Sequence, residues 1–567
     1  MKVSIRITAA RLVTLLLLAA LLCAGVQTTV AKENKLSMSI GDITNIEKIG
    51  TDPTLDSVIW PDNGGIQKYH YFTHGSSLIT LDGNGKITPW LAESYEVSDD
   101  YKTITFHLRK GVKFADGTPL NASIVKFNID RVILFGWKDM LTNRSVSRLS
   151  KYYDYSEASD EYTFKIHFTK GWADMPFEIA TPDFMGLFIS PYDVSPAWDI
   201  KGMLNSDKTY NGLGPYYVDE NESIPKQKIV LIKRDSWRDD CNFHKHMLDK
   251  IVLAYIADPQ TAVMALEKGD IDYICRAWNA PLDALTKLEK NSEITIKTSP
   301  EVRMYLLRTA YWKEPFNGTD GILLRKAVCS ALNRTEVVKG AFNSYALPAT
   351  DSMYLSPDRP DVPKCCGKGY DYDLDKAKQL LEEAGWMDTN GDGIRDKNGK
   401  SLKDLDLVVS SASSVSWEKD LALVVQSQLK KIGIEVDIRT VDSSEYVKAM
   451  KEGNFDLMVH FGYGRSNPLS QELGYFNFKP GYLKNYYENQ NETLQTIVEK
   501  VQNSASEEER NKYVCQVCDI LYEEAGVIPL VYPMQYAVMS KNVKGFELGP
   551  SQSYSNLDRV EDCWIEG

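Results

Sequence analysis

Histidine is scarce in this chain, seven in 567 residues, and after the N-terminus no stretch approaches the roughly 18 apolar residues that a membrane span requires. Positive charge is in deficit. With 65 Lys and Arg against 78 Asp and Glu the formal charge is −13, which argues against a nucleic-acid partner. There is no internal repeat, no low-complexity linker, no GxSxG elbow, no HExxH and no SxxK placed as a nucleophile motif would need. Paired acids such as Asp99 and Asp100, or Glu382 and Glu383, read as solvated surface. The chain is therefore not expected to be an enzyme or to require a cofactor.

What is present is ample core material. Hydrophobic residues make up 43% and charged residues 25%, so the chain can bury large cores, and its length suggests two to four domains or lobes. Its 31 Tyr and 11 Trp suit either core packing or the walls of a ligand cleft. At the N-terminus Lys2, Arg6 and Arg11 precede an apolar run from Leu12 to Val26, and Thr29 and Ala31 stand three and one residues before a peptidase cut. Residues 1–31 thus read as a secretory signal peptide, and the mature protein as exported, periplasmic or at the cell surface. Cys23 ends the apolar run as a lipoprotein cysteine does, but bulky Leu22 stands where such signals want a small residue.

The other eight cysteines, Cys241, Cys275, Cys329, Cys365, Cys366, Cys515, Cys518 and Cys563, would face an oxidising compartment, where disulfides are expected. Eight cysteines allow 105 pairings, so the connectivity stays open. Cys515 and Cys518 form a CxxC inside a helical pattern. With neither a second CxxC nor a thioredoxin-like βαβ pattern around it, a structural role is expected rather than redox catalysis.

Short alternating apolar runs interleave with amphipathic helices, which makes the class α/β. Strands are expected at residues 103–108, 162–168, 229–232, 251–255 and 434–438. Helices are expected at 373–384, closed by Gly385, and at 417–431, closed by Gly433. DTNGDGIRDKNG at 388–399 puts Asp388, Asn390, Asp392 and Asp396 at calcium-loop spacing, but Gly399 occupies the place of the bidentate Glu. A solvated Asx-Gly hairpin accounts for it better.

Several phrases in a fixed order then carry a resemblance. They are GKITPWLAESY at 85–95, FHLRKGVKFADGTPL at 106–120, GLGPY at 212–216, ALEKGDID at 265–272, LRKAVCSALNR at 324–334, YDLDKAKQLLEEAGW at 372–386 and IPLVY at 528–532. Together they resemble solute-binding protein family 5, the extracytoplasmic receptors of ABC importers for dipeptides, oligopeptides and nickel. The resemblance implies a two-lobe periplasmic-binding-protein-like fold of the large class II, cluster C type, with hinge crossings near Pro300 to Arg308 and Val527 to Tyr532. Lobe I would span 32–300 with an inserted subdomain at about 86–210, lobe II 301–527, and a return to lobe I 528–567. It also implies a monomer that encloses a ligand between its lobes and delivers it to a membrane permease and ATPase.

By the same resemblance His460, in the strand-like FDLMVHFGYG at 455–464, falls where nickel receptors carry a metal-binding histidine, and Tyr463 where the family places an aromatic cleft residue. His70 and His74 share one helix face and are candidates to join a metal there. His244 and His246 read as inert on a hairpin. Leu187 replaces the arginine that holds a chelate's carboxylates, which speaks against that mode of binding. Peptide receptors put an aspartate in the loop after the His460 strand, but here GRSNP at 464–468 offers Arg465 instead. A peptide ammonium would then lack its partner. Arg308 is a candidate to pair an anionic ligand group, and Trp417 opens a helix whose N-terminus suits an anion. A nickel chelate and a short peptide remain nearly balanced as cargo, with His460 tilting toward the metal.

Overall fold

The computed structural model describes residues 34–40, 77–81, 86–114, 116–134, 149, 151–180, 190, 212–234, 247–274, 282–300, 304–350, 353–355, 361–411, 417–462, 469, 473, 492–546 and 563–566. The signal segment 1–31 with Cys23, together with Cys241, Cys275, Leu187, His244 and His246, lies outside them.

Among the described residues twelve strands share one sheet. They are β1 (Lys35–Ile40), β2 (Tyr216–Val218), β3 (Lys228–Lys233), β4 (Lys250–Tyr255), β5 (Tyr273–Ile274), β6 (Ile294–Pro300), β7 (Met304–Thr309), β8 (Ala346–Pro348), β9 (Leu405–Ser410), β10 (Val436–Val441), β11 (Leu457–Gly462) and β12 (Val527–Ser540). The spatial order is β10-β9-β11-β7-β12-β5-β1-β4-β3-β2, with β6 and β8 also paired to β12. β12 is the long member, and it changes partners along its length. Val527, Ile528, Pro529 and Val531 pair with β7, Val531 to Pro533 with β8, and Met534 to Ser540 with β6. Pro529 has no N–H to give the ladder, and the register slips beside it, between Tyr305 and Leu306 of β7. The chain crosses first from β6 to β7 and returns along β12, so two adjacent crossings join two lobes.

Each lobe has its own core. Lobe I packs β1, β3, β4 and β5 around Leu36, Met38, Ile251 and Leu253. Lobe II surrounds β7, whose six residues are all buried, with helices α1 (Gly318–Ala331), α2 (Arg334–Phe342), α3 (Leu374–Glu383), α4 (Trp417–Lys430), α5 (Ser443–Glu452), α6 (Glu492–Asn503) and α7 (Glu507–Glu524). A third core belongs to a four-stranded antiparallel sheet, Ala92–Val97, Thr103–Leu108, Thr163–Phe168 and Tyr153–Ala158 in spatial order, where Phe106 stacks on Phe164 at 6.3 Å.

Local signals explain the helix ends. Asp373 is an N-cap rather than a helical residue, since its carboxylate accepts from the Lys376 N–H at 2.8 Å. Gly385 and Gly433 stand at φ +83° and +82°, the left-handed geometry a helix exit needs, and at Gly433 a Cβ would press to 2.8 Å from Arg395. The strand expected at 434–438 runs instead over 436–441. Parallel pairing with β9, Leu405 to Val436 through Ser410 to Val441, sets its limits, and alternation alone cannot see that partner. The Asp388 loop is a set of Asx turns, with Asp388 accepting from the N–H groups of Gly391 and Gly393. It leads into a hairpin turning at Asn398 and Gly399, both at positive φ.

Two disulfides tie the short 3₁₀ turn Lys364–Cys366 to α7, Cys365 to Cys515 and Cys366 to Cys518. Closing a loop of 150 residues is worth about 5 kcal/mol in chain entropy. With the first bond made, the second closes only a few residues and adds about 2 kcal/mol.

Lobe II also touches the segment after the four-stranded sheet. Arg510 of α7 pairs with Asp174, the two side chains 7% and 3% exposed, and the Ala173 N–H donates to the Ser504 carbonyl. Removing one partner strands a buried charge. Asp174→Ala should therefore cost about 3 kcal/mol and lower the thermal midpoint clearly. An unchanged midpoint would mean that this contact is not formed in solution.

Candidate functional site

β9 runs parallel to both β10 and β11, so Ser410, Val441 and Gly462 end at one edge of the lobe II sheet. β7 is antiparallel to β11, and its first residue Met304 pairs with Gly462, directly after the crossing from lobe I. The carboxyl ends of β9 and β11, the start of α4 and the inter-lobe crossing thus converge. This is the edge where open α/β sheets place ligands.

His460 lies two residues from that edge, opposite Leu306 and half-buried. Helix α5 covers its face of the sheet. α5 forms there because Asp442 caps it, accepting from the N–H groups of Ser444 and Glu445, and because Ala449 and Met450 pack on Met458 and Val408. One turn into α5, Tyr446 lies nearly parallel to the His460 ring at 6.3 Å, and its hydroxyl is 2.9 Å from Nδ1. The same hydroxyl donates to the Val459 carbonyl at 2.8 Å. A phenol has one proton, so with it on the Val459 carbonyl a neutral His460 ring donates from Nδ1 and keeps its lone pair on Nε2. That tautomer is one of the two through which an imidazole binds a metal.

The structure divides the other candidates. Arg308 stands on the His460 face, diagonal to it across the strand pair, but 4% exposed and deeper in the lobe, beside Met458 and Val527. Trp417 lies on the opposite side of β7. Its ring packs on Phe342 at 5.4 Å in the lobe II core, near the Tyr305 hydroxyl that donates to buried Glu418. Its Nε1 is buried with no acceptor among the described residues. The structure therefore brings Arg308 to His460 and sets Trp417 apart. His70, His74, Tyr463 and Arg465 lie outside the described residues. His167 and His107 belong to the four-stranded sheet, each 3.7 Å from a glutamate, Glu157 and Glu96. Tyr446 escaped the sequence reading because it sits 14 residues before His460 on a polar helix, and only the α5–β11 packing joins them.

Among the described residues no group of three or more His, Cys, Asp and Glu stands ready to hold a metal ion, and no helix is long and apolar enough to cross a membrane.

Comparison with known proteins agrees with this architecture. The family described as bacterial extracellular solute-binding proteins, family 5 Middle, matches residues 86–483. The chain is 28% identical over 494 residues to the glutathione-binding protein GsiB of Escherichia coli K12, covering 85% of this chain and 87% of that one. It is 27% identical over 429 residues to the nickel-binding periplasmic protein of the same strain, covering 73% and 76%. The solved structure of NikA from Brucella suis with Fe(III)-EDTA superposes with a TM-score of 0.77 at 22% identity, covering 94% of this chain and all of that one.

The tautomer can be measured. Nitrogen-15 spectra of histidine-labelled protein above pH 8 should show His460 protonated at Nδ1, and Tyr446→Phe should return it to a mixture of tautomers. An Nε2-protonated ring in the parent protein would remove Tyr446 from this role.

Proposed function

The chain belongs to family 5 of the bacterial extracellular solute-binding proteins and is the extracytoplasmic receptor of an ABC importer, and from that premise we propose that its cargo is a metal chelate of the nickel class, met by His460. The observation that carries this reading is the Tyr446 bond, which leaves the lone pair on Nε2 near the carboxyl edge of the sheet. A chelate brings most of its own donors, which suits a described site with one imidazole and no cluster of ligands. The sequence adds that the loop at 464–468 carries Arg465 and no aspartate, so a peptide ammonium lacks its usual partner.

The physical logic of capture is lobe closure. Enclosing the chelate removes water from its polar contacts, and the closed form offers a surface that the permease and ATPase complex distinguishes from the open one. No reaction on the ligand is needed. The N-terminal segment 1–31 supplies export, and the working form is a monomer.

A thermal-shift panel on ligand-stripped protein tests this reading, with nickel plus histidine or other small chelators on one arm and di- to hexapeptides, including glutathione, on the other. Ligand at a thousand times its dissociation constant should add about 4 kcal/mol of stability. A shift with nickel chelates that EDTA abolishes supports the proposal; a shift with peptides alone sinks it and makes His460 a wall residue. His460→Ala should weaken chelate binding more than tenfold without unfolding the protein, and Tyr446→Phe severalfold. Saturating ligand should also shrink the radius of gyration in small-angle scattering, and no change would count against closure.

A further inference from the structure

We propose that Cys365, Cys366, Cys515 and Cys518 form a second, redox-gated site, which when reduced holds one zinc-class metal ion through four thiolates. The four residues meet at one point. Cys365 and Cys366 are adjacent in the Lys364–Cys366 turn, and Cys515 and Cys518 are one turn apart on the facing side of α7. The sulfurs of Cys365 and Cys366 are 4.0 Å apart, close to the roughly 3.8 Å edge of a tetrahedron with 2.3 Å metal–sulfur arms. Each of them is bonded to one α7 sulfur, so releasing the two bonds leaves four thiols within a small side-chain rotation of that tetrahedron. While the disulfides stand, none of these four sulfurs is free to bind.

A further feature favours this reading. The junction has bonds of its own that survive reduction. Lys368 pairs with Asp519, Tyr370 stacks on Tyr522 at 4.8 Å, and the Tyr370 hydroxyl donates to the Tyr522 carbonyl at 2.7 Å. The four thiols therefore stay together when reduced, and Lys364 and Lys368 offset part of the site's double negative charge. The outer pair, Cys365 and Cys515, is half-buried and meets a reductant first, while Cys366 and Cys518 lie beneath it.

The chemistry balances with thiols and disulfides as the partners. Two molecules of a dithiol reductant supply four electrons and open both disulfides, and the four thiols lose their protons as the ion binds. Two molecules of a small-molecule disulfide take the four electrons back. Both Cys–Cys bonds reform, the ion leaves, and four small thiolates are released, which take up four protons from water to become thiols.

Cobalt(II) is the probe. The mature protein, reduced anaerobically and freed of reductant, should bind one equivalent with thiolate-to-cobalt charge-transfer bands and a tetrahedral d–d spectrum, bleached by zinc. Oxidised protein should show no such bands, and oxidised glutathione should erase them from the loaded form. Cys365→Ser with Cys515→Ser, which keeps the inner disulfide for folding, should weaken cobalt binding at least a hundredfold after reduction. Far-UV circular dichroism checks that the reduced chain stays folded. Absence of the bands in folded reduced protein, their persistence in the double variant, or unfolding on reduction would each overturn the proposal. Metal taken up by the oxidised chain belongs to the cleft, so this result and that for His460 are read separately.

Discussion

The backbone pairing of β12 is the constraint on which the rest of the molecule depends. A single strand of 14 residues, twelve of them buried, gives its first half to the sheet of lobe II and its second half to lobe I. An ordinary strand could not serve both, because sheet twist and ladder bonds would lock the two halves rigidly. Pro529 and Pro533 weaken the ladder where rigidity would be costly: the register slips beside the first, and the change of partner from β8 to β6 follows the second. The lobes are thereby tied by continuous chain yet joined through the least regular stretch of the sheet, as a hinge requires.

That arrangement fixes where a ligand can be met. Because β7 enters lobe II beside β12, which leaves it, the crossing, the carboxyl ends of β9 and β11 and the start of α4 share one edge. His460 is near that edge because of the strand it occupies, and its tautomer is set by a helix packed behind it. Two interactions of different range thus act on one side chain, sheet register bringing the ring to the edge and the Tyr446 hydroxyl deciding which nitrogen carries the proton.

Much of this was legible in the sequence. Helix ends carry their own chemistry, so Gly385 and Gly433 could be read one residue at a time, and the ordered family phrases marked a two-lobe receptor. What was not legible depends on partners distant in the chain. The limits of β10 come from β9, the disulfides join segments 150 residues apart, and Trp417 turned into the core because Phe342 and Tyr305 wait there. A helix-opening tryptophan looks the same in sequence whether it faces a cleft or a core; the deciding fact is the residue across from it.

The contrast between Arg308 and His460 shows why composition alone could not choose the ligand. Both lie on one face of neighbouring strands, but Arg308 is buried beside β12, where its charge must be met within the protein. His460 is only half-buried, and a neutral imidazole costs little to desolvate. On the proposed reading, a neutral, oriented donor that accepts a preformed charged complex avoids the penalty of pairing two bare charges inside the cleft. One coordinate bond to such a complex would also be easier to give up at the membrane than a buried ion pair.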